Sequence, residues 1–274
     1  MKVGIIGGTG KMGRLFARVF ERAGYDVLIS GRSTPLTKTT LAEQCEIVIV
    51  SVPIHETVTV INEITPLLTK DQLLCDLTSL KVKPIDAMKK SRAKIIGLHP
   101  MFGPTVKSLQ RQTIIVCPER CDNQTLNNLL TIFRNEGAQC TMTTPEKHDR
   151  AMAVVQGLTH FVTLCMAETI RRLGIDIEQT KSFTSPVYQI ELGLVGRLLS
   201  QDADLYGSIL QENPFVSDVL KACKGSINDL QDIIVSGDPR KFNEFFELNT
   251  RHFGDYCAEG LATTDDLIEY MVNR

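Results

Sequence analysis

Gly8, Gly10 and Gly13 in GGTGKMG (7–13) have the GxGxxG spacing that cradles a pyrophosphate, with Thr9, Lys11 and Met12 between them. The first glycine allows a tight turn, the second lets backbone approach the phosphates, and the third lets a helix pack closely on a strand. The motif is specific only where a strand leads in and a helix leads out. Here VGIIG (3–7) precedes it and MGRLFARVFERAG follows it. NAD enzymes carry a carboxylate for the ribose 2′-hydroxyl about 20 residues farther on. In this chain that stretch reads LISGRST, with Ser30, Arg32, Ser33 and Thr34 and no acid. A guanidinium and hydroxyls suit a 2′-phosphate, which favours NADP over NAD; the alternative is an Arg32 lying flat over the adenine, which suits either. Val52, Pro53 and His55 close the third apolar run and fall near the same cofactor.

GLHPMFGP (97–104) follows the fifth apolar run, at the carboxyl edge where doubly wound sheets bind ligands. His99 there can accept a proton from a substrate hydroxyl near neutral pH, or it can be a structural loop histidine. His148, Gln156 and His160 recur along one stripe of a long helical segment, which is equally the pattern of a packing face.

The elements that must position these residues are legible as periodicity. Apolar runs at 3–7, 26–30, 46–52, 72–77, 94–98, 113–117 and 139–142 alternate with amphipathic stretches, the pattern of a parallel, doubly wound Rossmann-type sheet. GRSTPLTKTTLAEQC, between the second and third runs, is polar and short enough for only a partial helix. Thr144 and Pro145 form an N-cap and first helical position, and every convincing period beyond them is helical. The expectation is an α/β dinucleotide-binding domain over 1–149 and an all-α substrate and dimerisation domain over 150–274. The first holds 19 basic and 14 acidic residues, the second 11 and 18, so a net charge of −2 conceals halves of +5 and −7. Near-neutrality argues against nucleic acid or an anionic membrane as main partner. No apolar run as long as a membrane span and no leader is apparent, which points to the cytoplasm. The 8 cysteines form no CxxC pair and read as reduced packing residues, with no metal implied.

Taken in order, GGTGKMG, IVIVSVPIH, DLTSLK, HPMFGP, EKHD and SPVYQIELGLVGRLLSQD resemble the prephenate dehydrogenase (TyrA) family, in particular the dehydrogenase portion of bacterial chorismate mutase–prephenate dehydrogenases. That resemblance implies oxidative decarboxylation of prephenate to 4-hydroxyphenylpyruvate, or of arogenate to tyrosine, with a nicotinamide cofactor and no metal. It implies that His99 accepts the proton of the ring hydroxyl, that Ser79 orients that hydroxyl, that Lys81 lines the cleft and that Arg197 holds the ring carboxylate. By the same resemblance His160 approaches the substrate, His148 and Asp149 lie near the hinge, and Tyr206 reaches the pocket mouth or simply packs. Gln189 stands where bifunctional relatives often have arginine, which leaves prephenate against arogenate open. No mutase segment precedes Val3 and no regulatory module follows, so neither activity is expected of this chain. A homodimer through the helical half is expected, with the active site between the two domains. Two rivals stand beside this reading. A non-catalytic dinucleotide sensor has no use for His99, Ser79 and Arg197 together, and a β-hydroxyacid dehydrogenase would carry a lysine on the long helix, which has none between Lys147 and Lys181.

Overall fold

The structure is a computed structural model and describes residues 1–273. In chain order the first elements are β1 (Lys2–Ile6), α1 (Lys11–Arg22), β2 (Asp26–Ser30), α2 (Lys38–Gln44), β3 (Ile47–Val50), α3 (Ile54–Ile64), β4 (Leu73–Asp76), α4 (Val82–Met88), β5 (Lys94–Pro100), β6 (Thr113–Arg120), α5 (Asn123–Asn135) and β7 (Gln139–Met142). Helices follow: α6 (Pro145–Met152), a π-helical turn (Ala153–Leu158), α7 (Thr159–Arg172), α8 (Ile177–Lys181), α9 (Pro186–Leu199), α10 (Ala203–Glu212), α11 (Val216–Ser236), α12 (Pro239–Phe253) and α13 (Tyr256–Val272). All seven apolar runs are strands, and the polar stretch after β2 holds only the two-turn α2, capped by Thr37 on the Thr40 amide.

The strands form one sheet in the order β2-β1-β3-β4-β5-β6-β7. Helices cover both faces, so successive strand residues are buried on opposite sides. Val3, Ile5, Ile47 and Ile49 pack towards α1 and α5, where Phe16, Phe20 and Phe133 meet edge to face at 5.9 and 6.1 Å. Ile6, Val48 and Val50 pack towards α2, α3 and α4, against Leu41, Ile61, Ile64 and Ile85. This two-sided burial is why the strands read as unbroken apolar runs.

The sheet is not parallel throughout. β1 to β5 run parallel, but β6 pairs antiparallel with β5, and β7 then pairs parallel with β6. The segment 101–112 between β5 and β6 is a loop, and without a crossover helix the chain returns antiparallel. One consequence bears on the site. β4 ends at Asp76 opposite Gly97, while β5 continues to Pro100, held by β6 through His99 opposite Ile115. His99 is thus the penultimate residue of a strand, not part of a loop beyond it.

The chain divides into two compact units, and the division differs from a cut at 149/150. One unit holds Met1–Gln156 together with Asp204–Phe215; the other holds Gly157–Ala203 and the chain from Val216 on. Most of α10 therefore belongs with the sheet. Asn213, just after it, donates from its amide to the backbone carbonyl of Asp149 at 2.8 Å and is buried, and the Arg150 guanidinium lies 4.2 Å from the centre of the Phe215 ring. The second unit is entirely helical, with α7, α12 and α13 burying none of their residues within the chain. Contrary to the reading of the apolar runs, the helical stretch Pro145–Arg172 does reach the length and mean hydropathy (1.3) of a membrane span. That property also belongs to helices that pack on other helices. The eight cysteines are unpaired, although Cys165 and Cys257 are exposed rather than packed.

Candidate active site

The glycine loop follows β1 directly. Gly7 has a φ of 83°, and a side chain there would strike the Ser51 carbonyl, so the tight turn falls at Gly7 and not, as the motif suggests, at Gly8. The amides of Gly7 and Gly8 donate to the Ser30 carbonyl at 2.8 and 3.0 Å and tie the loop to the end of β2. A Cβ on Gly13 would stand 2.5 Å from the Gly7 carbonyl oxygen, so α1 can lie against the loop only without one. α1 starts at Gly10 with no side-chain cap. Its first amides therefore keep their donors free, at the positive end of the helix dipole, as an anion requires.

A cavity of about 520 Å³ opens over this loop. Six of the anticipated residues line it, namely Thr9, Gly10, Ser30, Arg32, Val52 and Pro53. Gly8 and Gly13 shape the loop itself, while Lys11, Met12, Ser33 and His55 are not in the lining. Thr34, noted with Arg32 in the stretch after β2, lines the cavity as well, and Gly31, Thr37, Lys38, Ser51 and Glu56 do so although motif reading missed them. Lys38 matters most of these, because it adds a second cation beside Arg32 and is ion-paired with Glu63. Thr34 is held by its own turn, its hydroxyl accepting the Gly31 amide at 2.8 Å. Free amides, hydroxyls and two cations fit a dinucleotide phosphate chain.

The second group of residues gathers on the same carboxyl edge of the sheet, past the end of β4. Asp76 and Lys81 are both fully buried and form an ion pair, and the Asp76 carboxylate also accepts the Thr78 amide at 3.1 Å. The Lys81 stem crosses Gly97, where a Cβ would lie 3.0 Å from it and 2.8 Å from Ile85, which explains the glycine before Leu98 and His99. Lys81 is consequently not a residue lining an open cleft, since its ammonium is taken by Asp76. Asp149, on α6 and 1% exposed, accepts the amide of Lys81 at 2.8 Å and that of Val82 at 2.9 Å. Its Oδ1 also lies 2.7 Å from His148 Nδ1, and His148 Nε2 lies 2.8 Å from His99 Nδ1. The other nitrogen of His99, Nε2, is 3.4 Å from the Gln156 amide nitrogen. Gln156 sits in the π-helical turn, an irregularity of a kind frequent at functional sites, and its Oε1 is buried with no partner among the described residues.

Burial pushes the His99 imidazole well below its usual range, and the neighbouring His148 and Lys81 push it the same way. His148 is also lowered, chiefly by burial, with Asp149 opposing. Both rings are therefore neutral near pH 7, and His99 can accept a proton there. Ser79 is half-buried in the loop between β4 and α4. Tyr206 is half-buried on α10 in the same unit. Arg197 is exposed on α9 and His160 half-buried on α7, both in the helical unit, where burial lowers the His160 imidazole.

An uncapped glycine-rich helix start and a buried neutral histidine share one carboxyl edge of a doubly wound sheet, the arrangement of a dinucleotide-binding domain, here followed by a helical second unit. Residues 18–142 match the nucleotide-binding domain of prephenate dehydrogenase, and residues 144–248 match its dimerization domain. The chain belongs to the prephenate dehydrogenase family and carries that family's nucleotide-binding and dimerization domains. Over 98% of its length it is 32% identical to a probable arogenate/prephenate dehydrogenase of Methanocaldococcus jannaschii, of which it spans 64%. It is also 32% identical to the T-protein of Haemophilus influenzae, over 98% of this chain and 71% of that one. The fold is shared with prephenate dehydrogenase from Aquifex aeolicus, solved with hydroxyphenyl propionate and NAD+, at a TM-score of 0.72 and 20% identity over 92% of this chain and 97% of that one.

Replacing Lys81 with Met should leave Asp76 as an uncompensated buried charge and cost about 3–5 kcal/mol of stability. A urea midpoint unchanged from the parent would contradict the pairing.

Proposed function

We propose that the protein oxidises and decarboxylates prephenate to 4-hydroxyphenylpyruvate, using NADP in preference to NAD, as a homodimer in the cytoplasm. The observation that carries this reading is His99, a buried neutral imidazole on the same sheet edge as the phosphate loop, in a chain of this family. His99 Nε2 takes the proton of the ring hydroxyl, and general-base catalysis of this kind contributes about 10²–10⁴-fold. Ser79 hydrogen-bonds the same hydroxyl and orients it. The cofactor, when bound, accepts the hydride from the carbon that bears that hydroxyl. As the carbon becomes a carbonyl, the C–C bond to the ring carboxylate breaks, and its electron pair enters the ring to make the phenol. Arg197 pairs with that carboxylate in the ground state, while His160 and Tyr206 stand towards the substrate side chain. Arg32 and Lys38, with no acid at the end of β2, support the preference for a 2′-phosphate.

Homodimerisation is supported by the helical unit itself. A groove of about 1090 Å³ runs along α7 and α9, lined by Leu164, Ile170, Leu192, Val195 and Leu199 among others, and Gln189 lines it too. Leu199 is 60% exposed and Leu194 46% in the single chain, so these helices present apolar surface that a second copy would bury. Cytoplasmic residence is consistent with eight unpaired cysteines.

Following NAD(P)H absorbance with prephenate and arogenate, each with NADP and NAD, should give the fastest turnover with prephenate and NADP. No turnover in any combination would sink the reading, and faster turnover with NAD would sink the role of Arg32. His99→Asn should lower kcat by at least about 10²-fold with cofactor affinity retained, and Arg197→Gln should chiefly raise KM. A histidine held low in the folded state stays neutral as the pH falls through its ordinary value of about 6.5. The acid limb of kcat/KM should therefore begin below that value. Stability should fall over the same window, because there the unfolded chain binds protons that the folded one refuses. Sedimentation should report a dimer that Leu199→Glu dissociates; a monomeric parent would remove the homodimer.

A further inference from the structure

Four contacts in the sheet unit leave one consistent placement of protons. Asp149 receives two backbone amides, from Lys81 and Val82, at 2.8 and 2.9 Å, so it stands as an acceptor-only carboxylate. The nitrogen of His148 facing it at 2.7 Å, Nδ1, must then carry a hydrogen. In a neutral ring that leaves Nε2 of His148 as a bare acceptor. Nδ1 of His99, 2.8 Å away, must be its donor, because two lone pairs at that distance would repel. His99 is neutral as well, so its remaining nitrogen, Nε2, carries the lone pair. The Gln156 amide, 3.4 Å from that lone pair, offers a hydrogen to it rather than an oxygen, at a length that a stronger donor can displace.

We infer that Asp149 and His148 are positioning residues that set the tautomer of His99, so that Nε2 and not Nδ1 is its proton-accepting atom. The inference rests on the reading of His99 as the base, and it explains a cluster that the reaction otherwise leaves unused. The cluster has a second effect. When His99 takes a proton it becomes a buried cation near the Lys81 ammonium. Among the described residues, the carboxylate joined to His99 through hydrogen bonds is that of Asp149, since Asp76 already pairs with Lys81. Polarisation along Nδ1–H of His99, His148 and Asp149 offsets the new charge without moving a second proton. The groups facing His99 are therefore His148 on α6, Lys81 before α4, and Gln156 on the π-helical turn.

Two variants and one spectrum test this. His148→Leu removes the acceptor for Nδ1–H. It should lower kcat by about 10- to 100-fold, a share of what a positioned base contributes, with KM and cofactor Kd within about twofold when rates are expressed per cofactor-binding site. His148→Gln, whose amide oxygen can stand near the position of Nε2, should restore most of that loss. A purely structural role predicts fewer active sites rather than slower ones, and no rescue. Imidazole 15N spectra of the wild-type protein, assigned through His99→Asn, should show His99 with a protonated Nδ1 and a pyridine-like Nε2. A proton on Nε2 would overturn the inference, as would a His148→Leu protein that keeps kcat within twofold. The spectrum needs no substrate, so it decides the tautomer even if prephenate and arogenate both fail as substrates.

Discussion

A carboxylate leaves water only if other donors replace it, and Asp149 is almost completely buried. Its donors come from separate parts of the chain: the amides that open α4 and the imidazole of the neighbouring His148. Its backbone carbonyl takes a further donor from Asn213, beyond α10. Satisfying this one residue therefore holds the loop after β4, the start of α6 and the returning segment 204–215 together. The imidazole bonded to Asp149 is in turn hydrogen-bonded to His99, so this buried carboxylate is tied to the histidine at the sheet edge. Nearby, Asp76 and Lys81 solve the same difficulty by pairing, and Gly97 is small because the Lys81 stem must cross it.

The opposite demand governs the phosphate side. There the backbone donors are left unsatisfied, with α1 uncapped and Gly13 bare, because the ligand is to supply the acceptors. Both demands are met along a single edge of the sheet, where β1, β3, β4 and β5 all end. A parallel core places those ends side by side, and the extension of β5 past β4 carries His99 beyond the last residue paired with β4. The antiparallel return of β6 is what supports that extension.

Much of this was legible in the sequence. Strands covered on both faces must be apolar throughout, so all seven stood out. The glycine spacing with Arg32 marked the cofactor loop, and an ordered set of motifs marked the family. What escaped has a common cause. The direction of β6 leaves no trace in its composition, because a strand buried on both sides reads the same either way. Lys38 lies outside the window that the motif defines and joins Arg32 only because the chain turns at Thr34. His148 and Gln156 shared a stripe with His160, yet a stripe at helical spacing is also how packing residues recur. Nothing local separated a histidine hydrogen-bonded to His99 from one that fills space, and Asn213 gave no signal at all.

The sequence by itself determined the alternation of strands and helices, the phosphate loop, the absence of an acid after β2, and membership of the prephenate dehydrogenase family. These follow from periodicity, from glycine's lack of a side chain and from short motifs, all of which are local. The tertiary structure alone decided that Lys81 is spent on Asp76, that segment 204–215 belongs with the sheet, and that Asp149, His148 and His99 stand in line. Each of these depends on residues 5, 49 or 64–68 positions apart meeting in a buried space. Hydrogen-bond partners at such separations are chosen by the packing of the sheet and its helices, and no window of sequence contains both ends of the longer contacts.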